Sequence, residues 1–295
     1  MIIIKYSGWD KCDFSDYKKL AIKYGFNNET SPFFIEFAMN NGAVFDFFIL
    51  RKNGVDVGAC CVDNGWLCND IKNPKSQTND LPLPKYSIMP PFLKNIRCLM
   101  PFKSKCFALE SAHILNASYK FFSKRKVAIA KASTDFSAKT VSTRNREIRK
   151  FISDGGSFKS AAEYSENELY DIYSHLYSDR RSGAAALSPV GKDFISEFKS
   201  QIVGDIALIN DEPVAFQLNI KSLSNYGLFV DFINIGYDTK IKKHSLGTLI
   251  MWRNLQIVES LSADHHAPSV YSFGMMSGEY KQRWCNPVPV GKILI

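Results

Sequence analysis

The sequence predicts an α+β fold in which mainly antiparallel sheets are flanked by helices. An Asn53-Gly54 pair separates two apolar runs, and this dipeptide is the strongest short signal for a β-hairpin. Residues 165–177 combine a helix-start motif with apolar side chains at helical spacing. Residues 205–235 hold short apolar runs separated by turn residues, which indicates an antiparallel meander.

The first half of the chain predicts a helix, a hairpin and a long loop. Ser31-Pro32 provides a helix cap and a first-turn proline. Prolines recur between residues 73 and 101 and disfavour regular structure there. The expected elements are a helix over 33–39, hairpin strands over 43–50 and 55–62, a loop over 73–101, a part-helical stretch within 104–123 and a strand over 127–130.

The second half predicts alternating helices and strands. Ser165-Glu-Asn-Glu168 is a capping box, and the apolar residues that follow it recur on one helical face. Ser188-Pro189 starts another helix. The expected elements are helices over 141–153, 166–177, 190–202, 245–261 and 278–284, and strands over 157–164, 205–209, 214–220, 226–235, 269–273 and 290–295.

Composition excludes several classes of protein. With 295 residues, 45% hydrophobic and 22% charged, the chain can bury a core and is neither disordered nor collagenous. Seven cysteines without a CxxC pair indicate reduced thiols in the cytoplasm, and a buried thiol is the default for Cys285. No apolar run approaches the ~20 residues of a membrane-spanning helix. His265-His266 has no third ligand in view, so we expect no metal.

The positive charge is concentrated in one stretch. Lys85 to Lys139 contains 11 basic residues and two acidic ones, a local net charge of +9, interleaved with aromatic residues. This mixture favours an anionic membrane surface as the partner, with Lys124, Arg125 and Lys126 as membrane-binding residues. A solvated basic face is the alternative, and a nucleic-acid surface would have a similar composition.

The order of elements over residues 141–295 resembles a Gcn5-related N-acetyltransferase (GNAT) domain. Phe273-Gly274 followed by Tyr280-Lys281 is similar to the FemX-like branch of that superfamily. With its Tyr6-Ser-Gly-Trp9-Asp10 start and Pro289-Val-Gly-Lys292 end, the chain resembles the macrophage-induced Mig family of antimicrobial-peptide resistance proteins. This resemblance implies two GNAT-like domains. Residues 1–135 would be a degenerate copy with a basic, Pro-rich insertion, and residues 136–295 the better-formed, acyltransferase-like copy.

The resemblance also implies where a donor such as acetyl-CoA or a longer acyl-CoA would bind. In GNAT domains the pyrophosphate is held at the start of the helix after the central strand, where amides lack partners. Here His244 replaces the usual Gln or Arg, and Leu249 replaces a small residue. A basic helix start with Gly247 at a packing contact is the alternative. The matching residues are Lys242, Lys243, His244, Ser245, Gly247 and Thr248.

Two residues are candidates for proton transfer. Acyl transfer to an amine needs a base for the amine and an acid for the leaving group. By resemblance, Tyr280 is the acid; a core aromatic is the alternative. Asp231 lies on an apolar strand face that would raise a carboxylate's pKa toward that of a base, or it is a hydrogen-bonded structural residue.

Three functions remain open from the sequence. The first is an acyl or aminoacyl transferase that acts on an unknown amine acceptor, in the cytoplasm and peripherally associated with the inner membrane. The second is a catalytically inactive, membrane-associated binding module. A DNA-binding regulator ranks last, because the basic helix near Arg144 to Lys150 ends at Gly155-Gly156 and no helix-turn-helix follows.

Overall fold

The structure is a computed structural model that describes residues 7–108, 113–118, 125–181 and 190–295. The chain forms two compact units. Unit 1 comprises Met1–Ile129, Ser222–Phe229 and Ser272–Ile295, and unit 2 comprises Ala130–Lys221 and Val230–Tyr271. Because each unit combines separate stretches of the chain, the units do not show where each GNAT-like copy begins in the sequence. The division into residues 1–135 and 136–295 therefore stays a prediction.

The first 130 residues contain an antiparallel sheet with two helices. Strands one to four form a sheet in the order β1-β2-β3-β4. The hairpin is confirmed, with Lys52 opposite Val55 and positive φ angles of 51° and 76° at Asn53 and Gly54. The described elements are β1 (Trp9–Cys12), α1 (Phe14–Tyr24), α2 (Pro32–Asn40), β2 (Asp46–Lys52), β3 (Val55–Asp63), β4 (Trp66–Leu67), β5 (Arg97–Cys98), β6 (His113–Ile114) and β7 (Lys126–Ala130).

Helix α1 packs its apolar face against the hairpin. The Asp13 carboxylate accepts a hydrogen bond from the Asp16 amide at 2.9 Å and so caps the helix. Tyr17 and Ala21 are buried in one cluster with Phe47 and Ile49 of β2. Because successive side chains of a strand alternate between faces, β2 presents Phe47 and Ile49 to α1 together.

The Pro-rich loop is irregular as predicted, apart from β5, yet it is fixed by buried side chains. The Glu29 carboxylate is buried and accepts hydrogen bonds from the amides of Tyr86 and Ser87 at 3.0 and 2.8 Å. The Tyr226 hydroxyl accepts a hydrogen bond from the Phe92 amide at 2.8 Å. These side chains accept hydrogen bonds from loop amides that no neighbouring strand pairs with, and so they hold the loop in place.

The second half of the chain forms a sheet covered by helices. Its strand order is β8-β10-β11-β12-β13, and β9 pairs with β11. β10 is antiparallel to both β8 and β11. The described elements are α3 (Ala138–Ser153), β8 (Gly156–Ser160), α4 (Glu166–Arg180), α5 (Gly191–Glu197), β9 (Ile202–Val203), β10 (Asp205–Ile209), β11 (Glu212–Ser224), β12 (Gly227–Tyr237), α6 (Leu246–Asp264) and β13 (Ser269–Met275).

The capping box of α4 is confirmed. The Ser165 hydroxyl accepts a hydrogen bond from the Glu168 amide, and the Glu168 carboxylate accepts one from the Ser165 amide at 2.7 Å. Helix α6 is anchored to the sheet by Asn254, which is fully buried. The Asn254 side chain accepts from the Asp205 amide and donates to the Gln217 side chain, both at 2.9 Å. This anchor fixes where the N-terminus of α6 lies.

The chain ends in unit 1 with α7 (Glu279–Trp284) and β14 (Cys285–Pro289). The predicted final strand over 290–295 is wrong, because those residues make only isolated bridges among the described strands and β14 precedes them. β14 contains two prolines, which its position at a sheet edge tolerates.

The predicted helical stretch within 104–123 is also wrong over the residues the structure describes. Residues 113–118 instead pair with β5 and with the segment around Ile293. The Ser188-Pro189 helix start lies outside the described residues, and α5 begins at Gly191. The α+β fold with mainly antiparallel sheets and flanking helices is confirmed.

Candidate functional site

The predicted donor-binding residues lie together at the start of α6 in unit 2. Ser245 occupies the N-cap position without a side-chain cap bond, so the first-turn amides are not occupied by that hydroxyl. Lys240, Lys242 and Ser245 are exposed, and Gly247 and Thr248 are half-buried. The helix dipole and these exposed ammonium groups both favour an anion at this end of α6.

Two of the residues predicted to bind the donor already contact a carboxylate. Lys243 Nζ lies 2.9 Å and His244 Nε2 lies 3.6 Å from the Asp154 carboxylate, at the end of α3. The hydrogen bond from Lys243 lowers the pKa of Asp154, so this carboxylate is ionised. Asp154 places a negative charge beside the predicted anion site.

His244 packs against an aromatic ring. Its side chain is 7% exposed, and its ring meets Phe151 edge-on with centroids 5.3 Å apart. Burial lowers the pKa of His244, because the charged imidazolium loses hydration. His244 is therefore a neutral packing residue at pH 7 and adds no positive charge to the site.

Gly247 contacts the end of the preceding strand. A Cβ added at Gly247 would lie 3.2 Å from the ring of Tyr237, which closes β12. The Arg180 guanidinium lies 5.6 Å from the centroid of the same ring. Arg180 Nη1 also donates to the Ile235 carbonyl at 2.8 Å. Gly247 thus occupies a packing contact, as the alternative interpretation expected.

Leu249 is buried at 3% exposure, one turn into α6. In the GNAT domains that this chain resembles, a small residue at this position allows the donor to approach closely. The site combines first-turn amides and two exposed lysines with a bulky Leu249 and an opposing Asp154. These features oppose one another, and binding of an anion at this helix start stays a prediction.

Asp231 lies in the middle of β12 and is buried at 7% exposure. Phe229 and Ile235, on the same strand face by alternation, are also buried. The apolar setting that the sequence predicted is therefore present. The role of Asp231 as a base stays a prediction.

Tyr280 lies in the first turn of α7 in unit 1 and is 44% exposed. This exposure does not fit the core-aromatic alternative. The next residue, Lys281, is buried, and its Nζ donates to the carbonyls of Phe273 and Met275 at 2.5 and 2.7 Å. These carbonyls flank Gly274, whose φ is 70° and whose added Cβ would meet the Tyr86 ring at 3.0 Å.

The Phe-Gly and Tyr-Lys motif therefore has a structural cause. The pairing of β13 with β7 is irregular between Ser272 and Met275, where Gly274 takes the left-handed conformation. Lys281 satisfies the carbonyls on both sides of that irregularity. Burial lowers the pKa of Lys281. The ammonium shapes the end of β13 and is not directed to solvent.

The predicted membrane-binding residues lie before and at the start of β7. Lys124 is outside the described residues, Arg125 is half-buried and Lys126 is exposed. Lys85, the first residue of the +9 stretch, is buried and donates to the carbonyls of Asn79 and Leu81 at 2.9 and 3.0 Å. The surface charge of that stretch is smaller than its sequence count.

Sequence reasoning missed Asp154, Arg180 and the structural role of Lys281. Gly236 could have signalled the Arg180 contact, because a glycine within a strand marks close approach of another backbone. A Cβ on Gly236 would lie 2.4 Å from the Tyr177 amide nitrogen of α4. Asp154 carries no local signal, since its partners are about ninety residues away in the sequence.

A family model named Mig-14 matches residues 32–293 of the chain. The chain belongs to the Mig-14 family. The resemblance to the Mig family is confirmed, and the fold is shared with FemX. A search of curated proteins finds no match.

Solved structures share the fold of this Mig-14 family protein. FemX aligns with a TM-score of 0.55 and 8% identity over 97% of both chains. L-PGS from Bacillus licheniformis aligns with a TM-score of 0.52 and 12% identity over 96% of this chain and 91% of that one. The C-terminal domain of a putative lysylphosphatidylglycerol synthetase from Agrobacterium fabrum gives 0.40 and 12% identity, covering 58% of this chain and 60% of that one.

Two further observations concern metal binding and membrane-spanning helices. Among the described residues, no group of three or more His, Cys, Asp or Glu side chains is placed to hold a metal ion. None of the described helices has the length and apolar character needed to span a bilayer.

Proposed function

We propose that this Mig-14 family protein is a GNAT-type acyl or aminoacyl transferase that acts peripherally at the inner membrane. By modifying an amine acceptor there, it confers resistance to cationic antimicrobial peptides. The observation that carries this proposal is the start of α6, where the first-turn amides follow exposed Lys240 and Lys242 along the chain in a fold shared with FemX. Backbone donors at a helix N-terminus are suited to a phosphate-bearing donor.

The donor's anionic group would bind the amides of Leu246, Gly247 and Thr248 and face Lys240 and Lys242. Asp154 neutralises Lys243, so this lysine adds little attraction for an anion. Acetyl-CoA and long-chain acyl-CoA are the donors to test first. Leu249 replaces the small residue that GNAT domains carry at this position.

The reaction transfers an acyl group from the donor to an amine. The amine nitrogen attacks the donor carbonyl carbon, a new C–N bond forms, and the bond to the leaving group breaks. A base must take the amine proton and an acid must protonate the leaving group. We assign Asp231 to the first role and Tyr280 to the second, as separate proposals.

A catalytically inactive, membrane-associated binding module is the second candidate. The Asp154 carboxylate favours it, because a negative charge beside the start of α6 opposes binding of a CoA pyrophosphate. The two candidates differ in one respect. A transferase must bind a donor, whereas a binding module needs only its membrane partner.

Calorimetric titration with acetyl-CoA and long-chain acyl-CoA tests donor binding. We expect saturable binding by the wild type and none by Gly247→Trp, because an indole at this position would displace Tyr237 and cover the first-turn amides. Ser260→Trp, near the far end of α6 and exposed, is the matched control and should bind as the wild type does. Absent binding of either donor to the wild type would contradict CoA-dependent transfer. Binding of duplex DNA that is tighter than binding of either donor would favour the DNA-binding regulator.

Tyr280→Phe tests the acid. Its removal should lower kcat about a hundred-fold and leave donor affinity unchanged, because only a proton donor is lost. Single-turnover kinetics and calorimetry on the same preparation separate these effects. Equal turnover by the two proteins would remove Tyr280 from the mechanism.

Peripheral membrane association is proposed from charge, with Lys124, Arg125 and Lys126 as the first contacts. Each basic residue near an anionic surface contributes about 1 kcal/mol. Replacing all three by Glu should weaken binding to phosphatidylglycerol vesicles in a salt-sensitive way. Vesicle binding that is independent of lipid charge would contradict this part of the proposal.

A further inference from the structure

Three segments of unit 1 lie side by side with their side chains alternating between core and solvent. β5 runs parallel to β6, with Cys98 opposite Ile114. Ala117 then bridges Ile293 in antiparallel fashion. These pairings join residues 97–100, 113–118 and 291–294 into one small, sheet-like platform. Its register therefore determines which side chains can reach solvent.

The inward side of this platform belongs to a hydrophobic core. Its residues are at most 7% exposed and share one cluster with Trp9 and Phe102. They are Cys98, Met100, Ile114, Ala117 and Ile293. The neighbouring residues cannot turn inward without moving these core residues into water.

The outward side carries leucines that remain in solvent. Leu99, Leu115 and Leu294 are 45%, 59% and 52% exposed. Their backbone segments meet at Asn116, which follows Leu115 and whose side chain exchanges hydrogen bonds with the Met100 amide and carbonyl at 2.9 Å. Asn116 also donates to the Leu294 carbonyl at 3.0 Å. These bonds tie together the backbone at the three leucine positions.

Basic side chains occupy the same outward side. Arg97 and Lys292, each two residues before an outward leucine, are exposed. Lys52 donates to the Arg97 carbonyl, and Lys94 is exposed in the turn that precedes β5. The described residues 92–108, 113–118 and 290–295 contain five Lys or Arg and no Asp or Glu.

We propose that Arg97, Leu99, Leu115, Lys292 and Leu294, hereafter the amphipathic surface, dock this protein on an anionic phospholipid bilayer. Exposed leucines bordered by cations match the bilayer interface, where apolar groups enter the acyl boundary and cations meet phosphate headgroups. Nucleic acid offers phosphates but no apolar phase for three leucines. This inference rests on the membrane association in the proposed function and adds a second contact surface to residues 124–126.

The test is sedimentation with phosphatidylcholine vesicles, with and without phosphatidylglycerol. Leu99→Asn, Leu115→Asn and Leu294→Asn together should lower the partition coefficient about thirty-fold and leave the residual binding salt-sensitive. Arg97→Gln with Lys292→Gln should lower it about thirty-fold on phosphatidylglycerol vesicles and have no effect on phosphatidylcholine alone. This charge pair retains the leucines and keeps the test valid if the leucine variant does not fold.

The matched control replaces three exposed apolar residues elsewhere in unit 1. Ile22→Asn, Val44→Asn and Leu223→Asn remove side chains that are 54%, 76% and 46% exposed, and binding should be unchanged. Wild-type binding that both surface variants retain would overturn the amphipathic surface but leave membrane association intact. No vesicle binding by the wild type would overturn both. Sedimentation of a dimer that only the leucine variant abolishes, without vesicle binding, would identify a second copy as the occupant.

Discussion

Two pairs of lysines show how similar basic segments acquire different roles. Lys85 and Lys281 of unit 1 are buried, and each ammonium donates to two backbone carbonyls. Lys242 and Lys243 of unit 2 are exposed at the start of α6, and Lys243 pairs with Asp154. The first pair holds irregular backbone in place. In the second pair, Lys242 is exposed to solvent and ligands, whereas Asp154 neutralises Lys243.

This difference shows that burial decides the role of a lysine more than local charge density. Lys85 belongs to the most basic stretch of the sequence but contributes nothing to its surface. A buried ammonium loses hydration and must recover it from fixed oxygen atoms. An exposed ammonium keeps its hydration and can exchange water for a ligand.

The largest effect on the first pair should come from Lys281→Met. The variant keeps a linear apolar stem but leaves the Phe273 and Met275 carbonyls without the ammonium. We expect the free energy of unfolding to fall by about 3 kcal/mol. Urea unfolding measures it, with the exposed neighbour Gln282→Met as the control. A change as small as that of the control would contradict a structural role for Lys281.

The pH dependence of stability tests Lys85. Burial lowers the pKa of Lys85 from 10.5 to about 8. Between these values the unfolded chain holds a proton that the folded chain has released, so stability rises with pH. Relative to Lys85→Met, the wild type should gain about 2 kcal/mol between pH 7 and 10. A difference that stays flat over this range, or falls, would contradict the burial of a titrating amine.

Asp154→Asn tests the second pair with a smaller effect. The amide keeps a hydrogen-bond acceptor for Lys243 but removes the negative charge beside the start of α6. Donor affinity should rise about five-fold at low salt and less at high salt. Calorimetry on Asp193→Asn, which removes a charge from the first turn of α5, provides the control. Weaker donor binding by Asp154→Asn would mean that Asp154 orients Lys243 for the ligand.

Local signals predicted the elements whose causes are local. The Asn53-Gly54 turn and the Ser165 capping box each act within four residues, and both are confirmed. The error over 104–123 has the opposite cause, because residues 113–118 are held by β5 and by residues near Ile293. The helical spacing of residues over a short stretch carries no information about such distant partners.

The same distinction applies to the candidate site. The sequence located the start of α6 from its position after a strand, and the residues predicted to bind the donor do lie at that helix start. It could not reveal that Asp154 pairs with Lys243 or that Tyr237 packs on Gly247. The amphipathic surface was equally hidden, because its leucines come from three separate segments and none is unusual in its own stretch.

Amide hydrogen exchange at the start of α6 is the most direct test of the donor-binding claim. Exchange is measured for Leu246, Gly247 and Thr248 with and without long-chain acyl-CoA. Donor binding should slow exchange at these amides, which the helix itself leaves without acceptors, and leave the far end near Ser260 unchanged. Saturating donor that protects no amide in the first turn of α6, or protects amides only elsewhere, would contradict the claim.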